Sequence, residues 1–294
     1  CATLKRTIPM NKILTLLTLT LIFNLQTFSQ TEIVLGAAFS DGLEKYIHFD
    51  KVDSIIEMNY KASLTNNEIA KGYEDYGKAK TIVTYDKKGI VKELSVYISK
   101  DKKGNTYQYD YDKNDRLIKR IVLNSESDTV HKIVIDYQAH DLIEKSVFFD
   151  GQTTPTTKWI FNFNDKSVIE KRSFPADDKV YSNYELGENN ELLKQTNDTY
   201  YWNYKYNDKG KLVDEEQYTI LQIDDGNPIR PVYRNEYKYD DYLNVIWIKK
   251  TTSRSEKIIE FKYTFDEKNN WIKRIEFEND KPKLITERII VYRE

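Results

Sequence analysis

One frame recurs along this chain at a nearly fixed period, and that recurrence decides the fold class before any local pattern does. In Tyr109-Asp-Tyr-Asp112-Lys-Asn-Asp-Arg-Leu117, anchored on Asp112, aromatics sit three and one before the anchor, a turn former three after it and an aliphatic five after it. The frame returns at Asp86, Gln138, Asn164, Gly187, Asn207, Asp240 and Asp266, with a weaker copy at Asp50. Successive anchors from 86 to 266 lie 26, 26, 26, 23, 20, 33 and 26 residues apart, and chance does not give four identical spacings.

Each frame reads as a β-hairpin. Aromatic and β-branched residues alternate with polar ones at period two, the mark of a half-buried strand, and Asp-x-x-Gly or Asp-x-x-Asn ends it. The anchor side chain can accept hydrogen bonds from amides ahead of it. Gly89, Gly210 or an Asn (Asn190, Asn269 and, in the Asp240 copy, Asn244) supplies the left-handed residue of a short hairpin loop. If the residue before the anchor pairs with the one five after it, Tyr85, Tyr111, Tyr137, Phe163, Tyr206, Tyr239 and Phe265 share one face as a cross-strand ladder. The residues two before the anchors are all polar, from Thr84 and Asp110 to Lys238 and Thr264, so the opposite face is wet.

Nine hairpins imply about eighteen strands, and an open twisted sheet rarely exceeds ~10 strands without curling. The expected fold is all-β: an antiparallel meander of tandem β-hairpin repeats forming a curled, barrel-like or half-shell sheet with its aromatic face inward. The longer spacing between Tyr218 and Val232 marks a protruding loop, and Thr65 to Lys80 is expected to include one short helix capped by Asn66-Asn67-Glu68.

The Tyr-x-Tyr-Asp-x-x-Gly-type frames resemble the YD repeats of the Rhs and teneurin-like families, over residues from about 47 to 290. The resemblance implies a β-shell architecture, since large members wind such repeats around a cargo. It implies no catalytic residue, because the repeats carry no catalytic motif.

Residues 1–9 precede Met10 and read as an over-called start; residues 10–29 read as a signal peptide. Met10-Asn-Lys gives the basic head, Ile13 to Phe23 the apolar stretch, and Thr27 and Ser29 the small or polar residues before a cut expected between Ser29 and Gln30. A membrane-spanning helix needs about 20 consecutive apolar residues, and Thr15, Thr18, Thr20 and Asn24 interrupt this shorter run. Residues 30–294 then form a single YD-repeat β domain. The lone cysteine, Cys1, lies upstream of the cut, so no disulfide framework is expected in a product that is periplasmic, at the cell surface or secreted. A net charge of -2 in a chain with 31% charged residues intersperses both signs and leaves no basic footprint for nucleic acid.

No catalytic, cofactor-binding or metal-ligating residue stands out. His48, His131 and His140 lack ligand-like neighbours at zinc spacings, and the Asp110 to Asp115 stretch lacks the glycine and the glutamate of a calcium loop. Neither a nucleophile elbow nor a phosphate-cradling loop occurs. Trp159 and Trp202 lie five before their anchors, Trp271 five after and Trp247 seven after, so parity puts all four on the aromatic stripe. There they serve either as core or as a platform on which a ligand stacks. The doublets Lys119-Arg120, Lys171-Arg172, Lys249-Lys250 and Lys273-Arg274 read as solvated arms that discourage edge pairing, and they argue against a lipid-facing barrel.

The expected function is an exported, non-catalytic binding protein that contacts a protein or a polysaccharide through its repeat sheet. It needs no cofactor, binds no nucleic acid, makes no stable membrane insertion and acts as a monomer. The alternatives are a shell or neutralising partner in an Rhs-type toxin system, and a secreted hydrolase with carboxylates converging in a cleft.

Overall fold

At Asp86 the carboxylate accepts hydrogen bonds from the amides of Lys88 (2.8 Å) and Ile90 (2.9 Å), Gly89 takes φ 81°, and the chain doubles back so that Tyr85 pairs with Val91. Asp112, Asn207 and Asp266 make the same pair of side-chain bonds, with Asp115, Gly210 and Asn269 left-handed. These are three-residue loops followed by a bulge. The unpaired residue falls six after the anchor: Lys92 in the Asp86 hairpin, then Ile118, Leu193, Val213, Ile246 and Ile272.

The computed structural model describes residues 51–66, 68–75, 78–139, 142–174, 177–220, 223–224, 227–228 and 230–294. Asp50, the expected signal peptide, His48 and His140 lie outside the described residues. The strands are β1 (Val52–Thr65), β2 (Glu68–Glu74), β3 (Lys80–Tyr85), β4 (Val91–Tyr97), β5 (Lys103–Tyr111), β6 (Leu117–Leu123), β7 (Thr129–Ala139), β8 (Leu142–Phe149), β9 (Thr157–Asn164) and β10 (Ser167–Phe174). They continue as β11 (Asp177–Leu186), β12 (Leu192–Thr196), β13 (Tyr200–Tyr206), β14 (Leu212–Thr219), β15 (Ile223–Asp224), β16 (Asn227–Pro228), β17 (Tyr233–Tyr239), β18 (Val245–Thr252), β19 (Glu256–Phe265), β20 (Trp271–Glu278) and β21 (Lys281–Tyr292). Among the described residues there is no α-helix.

From β3 onward each strand pairs antiparallel with the next, β14 passing directly to β17. β1 pairs with β3 on one side, Ile55 opposite Val83, and with β21 on the other, Ile55 opposite Ile290. That second pairing closes an 18-strand barrel. β2 folds back on the far half of β1 as a nineteenth strand of the sheet. The expected meander therefore closes completely, which leaves the ring without an exposed edge.

Two local expectations are corrected. Where a helix is expected between Thr65 and Lys80, the described residues form the hairpin β1–β2: Asn66 takes φ 52° and Thr65 pairs with Glu68, so Asn66 stands in a tight turn instead of a helix cap. In the Asp240 hairpin the left-handed residue is Leu243, at φ 64°, and not Asn244, whose amide and side chain bond the anchor carboxylate. The long connection between Tyr218 and Val232 carries its own small ladder, β15 with β16.

The apolar cluster of Ile55, Val83, Leu94, Tyr109, Phe161 and their neighbours belongs to a single face of the sheet. Ile55, Val83, Leu94 and Phe161 are all 0% exposed, which identifies this face as the concave, inner one, where side chains converge. The eight described anchors all lie on one rim. The opposite rim is less regular, although Asn124 repeats the anchored turn there, accepting from the amides of Glu126 and Asp128.

Candidate functional site on the inner wall

In the six hairpins that carry it, the bulge six after the anchor changes which residues face inward, because one extra residue reverses the alternation; the Asn164 hairpin pairs without a shift. Trp247, seven after its anchor, pairs with Lys238 and Glu260 on the outer face instead of joining the aromatic stripe. The same shift corrects the reading of the basic doublets. Lys119 stays outside opposite Asp110, whereas Arg120 pairs with Tyr109 and Ile133 on the inner face and is only 5% exposed. Lys250 and Arg274 likewise face inward, opposite Asn235 and Tyr263, and Arg172 faces inward opposite Trp159 through the unshifted pairing of β9 with β10. The doublets guard no edge; the inward member of each builds a polar layer inside the barrel.

That layer is closely paired. Arg288 binds Glu57 across the β1–β21 seam (2.6 and 2.7 Å), and Thr286 donates to Asn59 beside it. Tyr184 donates to the buried Glu170 (2.5 Å), whose carboxyl burial pushes up against the opposing pull of Tyr184 and Lys145. Burial, with Arg120 adding to it and Glu170 opposing it, brings the Lys145 ammonium down to about 8. Asn235 and Tyr237 converge on Glu215 across β14 and β17.

All four tryptophans are half-buried. Lys145 lies 4.6 Å over the Trp159 ring with Arg172 at 5.9 Å, Lys238 lies 4.4 Å over Trp247, and Arg288 lies 3.3 Å over Trp271. Among the described residues Trp202 alone of the four carries no cation over its ring; it packs instead against Tyr200 at 5.8 Å.

Trp202 packs behind Tyr200, which lines a cavity among the described residues. It opens at the irregular rim between β10–β11 and the turn Asn197 to Thr199, with a volume of about 710 Å³. Arg172, Lys179, Tyr181, Asn197, Asp198 and Tyr200 line it. Tyr181 is 49% exposed, pushed out at a bulge where Glu170 pairs with Ser182 and Lys171 with Val180. Asn197 holds the floor turn by accepting from the amides of Thr199 (2.9 Å) and Tyr200 (2.8 Å). Lys179 pairs with Asp198 at 2.7 Å. The cavity thus joins aromatic ring faces to amide, carboxylate and cationic groups. The sequence singled out Trp159 and Trp202 near it but gave no signal for Tyr181 or Asn197, which a bulge and a turn bring there.

The outer face is ionic. Asp214 receives Lys205 (3.0 Å) and Arg234 (2.9 Å); burial works against its charge, yet these two cations hold its carboxyl below the usual range. Lys119 with Asp110 and Lys158 with Glu144 add further pairs there. No helix among the described residues is long and apolar enough to cross a membrane.

No protein-family model matches the chain, and no curated protein matches it. Among solved structures it is similar to a porin-like protein from Bacteroides uniformis ATCC 8492, at 8% identity and TM-score 0.31 over 83% of this chain and 98% of that one. It is also similar to a putative outer membrane lipoprotein-sorting protein domain from Vibrio parahaemolyticus, at 11% identity and TM-score 0.23 over 87% and 92%.

Proposed function

We propose that this chain is an exported, non-catalytic binding barrel that holds a polysaccharide at its inner mouth, between β10 and β13. The observation that carries this reading is the cavity itself, where the rings of Tyr181 and Tyr200, backed by Trp202, stand beside the hydrogen-bonding groups of Asn197, Asp198 and Arg172. Sugars present flat apolar ring faces edged by hydroxyls, and a pocket of that composition matches both. Hydrolysis of a glycosidic bond calls for two carboxyl groups flanking it. Among the described residues the cavity presents one, Asp198, already paired with Lys179.

The outer face supports a barrel that stands in water. Lipid-facing Lys or Arg costs about 2–4 kcal/mol near mid-bilayer, and Lys119, Lys205 and Arg234 all lie on that surface. Kinship to the YD-repeat shells belongs to the same reading: the anchored turns and the closed ring of 18 strands support it as the second possibility.

Isothermal titration of the purified protein against a panel of neutral and acidic oligosaccharides tests the first. A binder should emerge whose affinity falls at least tenfold in Tyr200→Ala and is unchanged in Trp247→Ala on the outer wall. Unchanged affinity in Tyr200→Ala, or an empty panel, removes the mouth cavity as a sugar site.

A further inference from the structure

We propose that the mouth cavity is selective for an acidic sugar, a unit whose ring carboxylate is received by Arg172 while Tyr200 supports its ring. This deepens the polysaccharide reading and rests on it.

Three observations lead here. First, Arg172 and Lys179 are directly opposed in the β10–β11 ladder, both lining the cavity. Like charges placed opposite one another weaken a sheet, and Asp198 answers only the Lys179 member of this pair. Second, the acids on this part of the wall are already engaged. Glu170, in the same strand, takes the Tyr184 hydroxyl at 2.5 Å, and Asp198 takes Lys179 at 2.7 Å. Among the residues whose side chains are described, no carboxylate comes within ion-pair distance of Arg172, whose guanidinium lies over the Trp159 ring at 5.9 Å. Third, Lys145 stands on the other side of that same ring, in the strand next to it, at 4.6 Å. Two positive groups, Lys145 and Arg172, therefore flank Trp159 on the wall behind the cavity, and of the two Lys145 faces Glu170.

The planar guanidinium fork of Arg172 suits a carboxylate, which it can meet with two parallel hydrogen bonds. A neutral hexose would leave that charge unanswered.

The test compares an oligogalacturonate with its methyl-esterified form, by titration calorimetry at low and at high salt. The wild-type protein should bind the acid form at least tenfold more tightly than the ester, and salt should erode that margin. Arg172→Gln should abolish the preference for the acid form, and Arg172→Lys should restore part of it. Equal affinity for acid and ester in the wild type overturns the charge selectivity and leaves the sugar reading standing. A preference that survives in Arg172→Gln overturns the role given to Arg172. Binding of neither form, together with an empty neutral panel, overturns the sugar reading and this inference with it.

Discussion

At Asp112 one carboxylate holds a whole turn. Burial disfavours its charge, but the amides of Arg116 and Asn114 and the Arg116 guanidinium together bring its carboxyl below the usual range. A group whose folded value is depressed contributes stability that is present above the unfolded value of 3.8 and is lost as pH falls through the folded one. Asp112→Asn should keep the turn, as Asn207 does naturally, and should flatten the loss of stability below about pH 4. Asp112→Ala should cost about 1–3 kcal/mol at neutral pH, because two turn amides lose their acceptor. Urea unfolding between pH 3 and 7 checks both; an acid slope in Asp112→Asn equal to the wild type's would contradict the assignment. Gly187 shows where a frame is legible and its chemistry is not. The glycine has no side chain to offer, and the Glu191 carboxylate swings in to accept from the Asn189 amide at 2.9 Å. A β-carbon at Gly187 would collide with that carboxylate, so the missing anchor is replaced from four residues downstream.

The strands and turns follow from period-two alternation and anchor spacing, both local properties of the sequence. The inward set does not, because one unpaired residue in most of the hairpins inverts everything beyond it. That is why Trp247 turned outward and why Arg120 and Arg274 turned inward. Tyrosine hydroxyls add another tie that spacing alone does not reveal. Tyr137, Tyr239 and Tyr263 donate to the carbonyls of Leu117, Leu212 and Val245, each five after the preceding anchor. Neighbouring hairpins are thereby latched at the bulge. The seam between β1 and β21 uses the buried pair of Glu57 and Arg288 instead, 231 residues apart. Removing one partner of a buried pair strands the other charge, so Arg288→Met should cost about 3–5 kcal/mol, and adding Glu57→Leu should recover most of it. Denaturant titrations of the single and double variants measure this. A neutral Arg288→Met would mean the seam does not depend on the pair.

For the molecule as a whole, the repeat made a curled all-β meander legible, since so many strands cannot stay flat. Closure was not legible, because it depends on the first and last strands meeting in register, with Ile55 opposite Ile290 and Asn59 opposite Thr286. Once the ring closes, the aromatic stripe becomes an inner wall, the wet face becomes the outside, and the irregular rim becomes a mouth. The proposed ligand site depends on that geometry. Native-state hydrogen exchange on the amides of residues 55–61 and 284–291 tests it most directly. In a closed barrel both segments should be protected to the same degree as the central hairpin β5–β6. Rapid exchange at alternate amides of β21, the ones facing β1, would show an open edge and contradict the barrel.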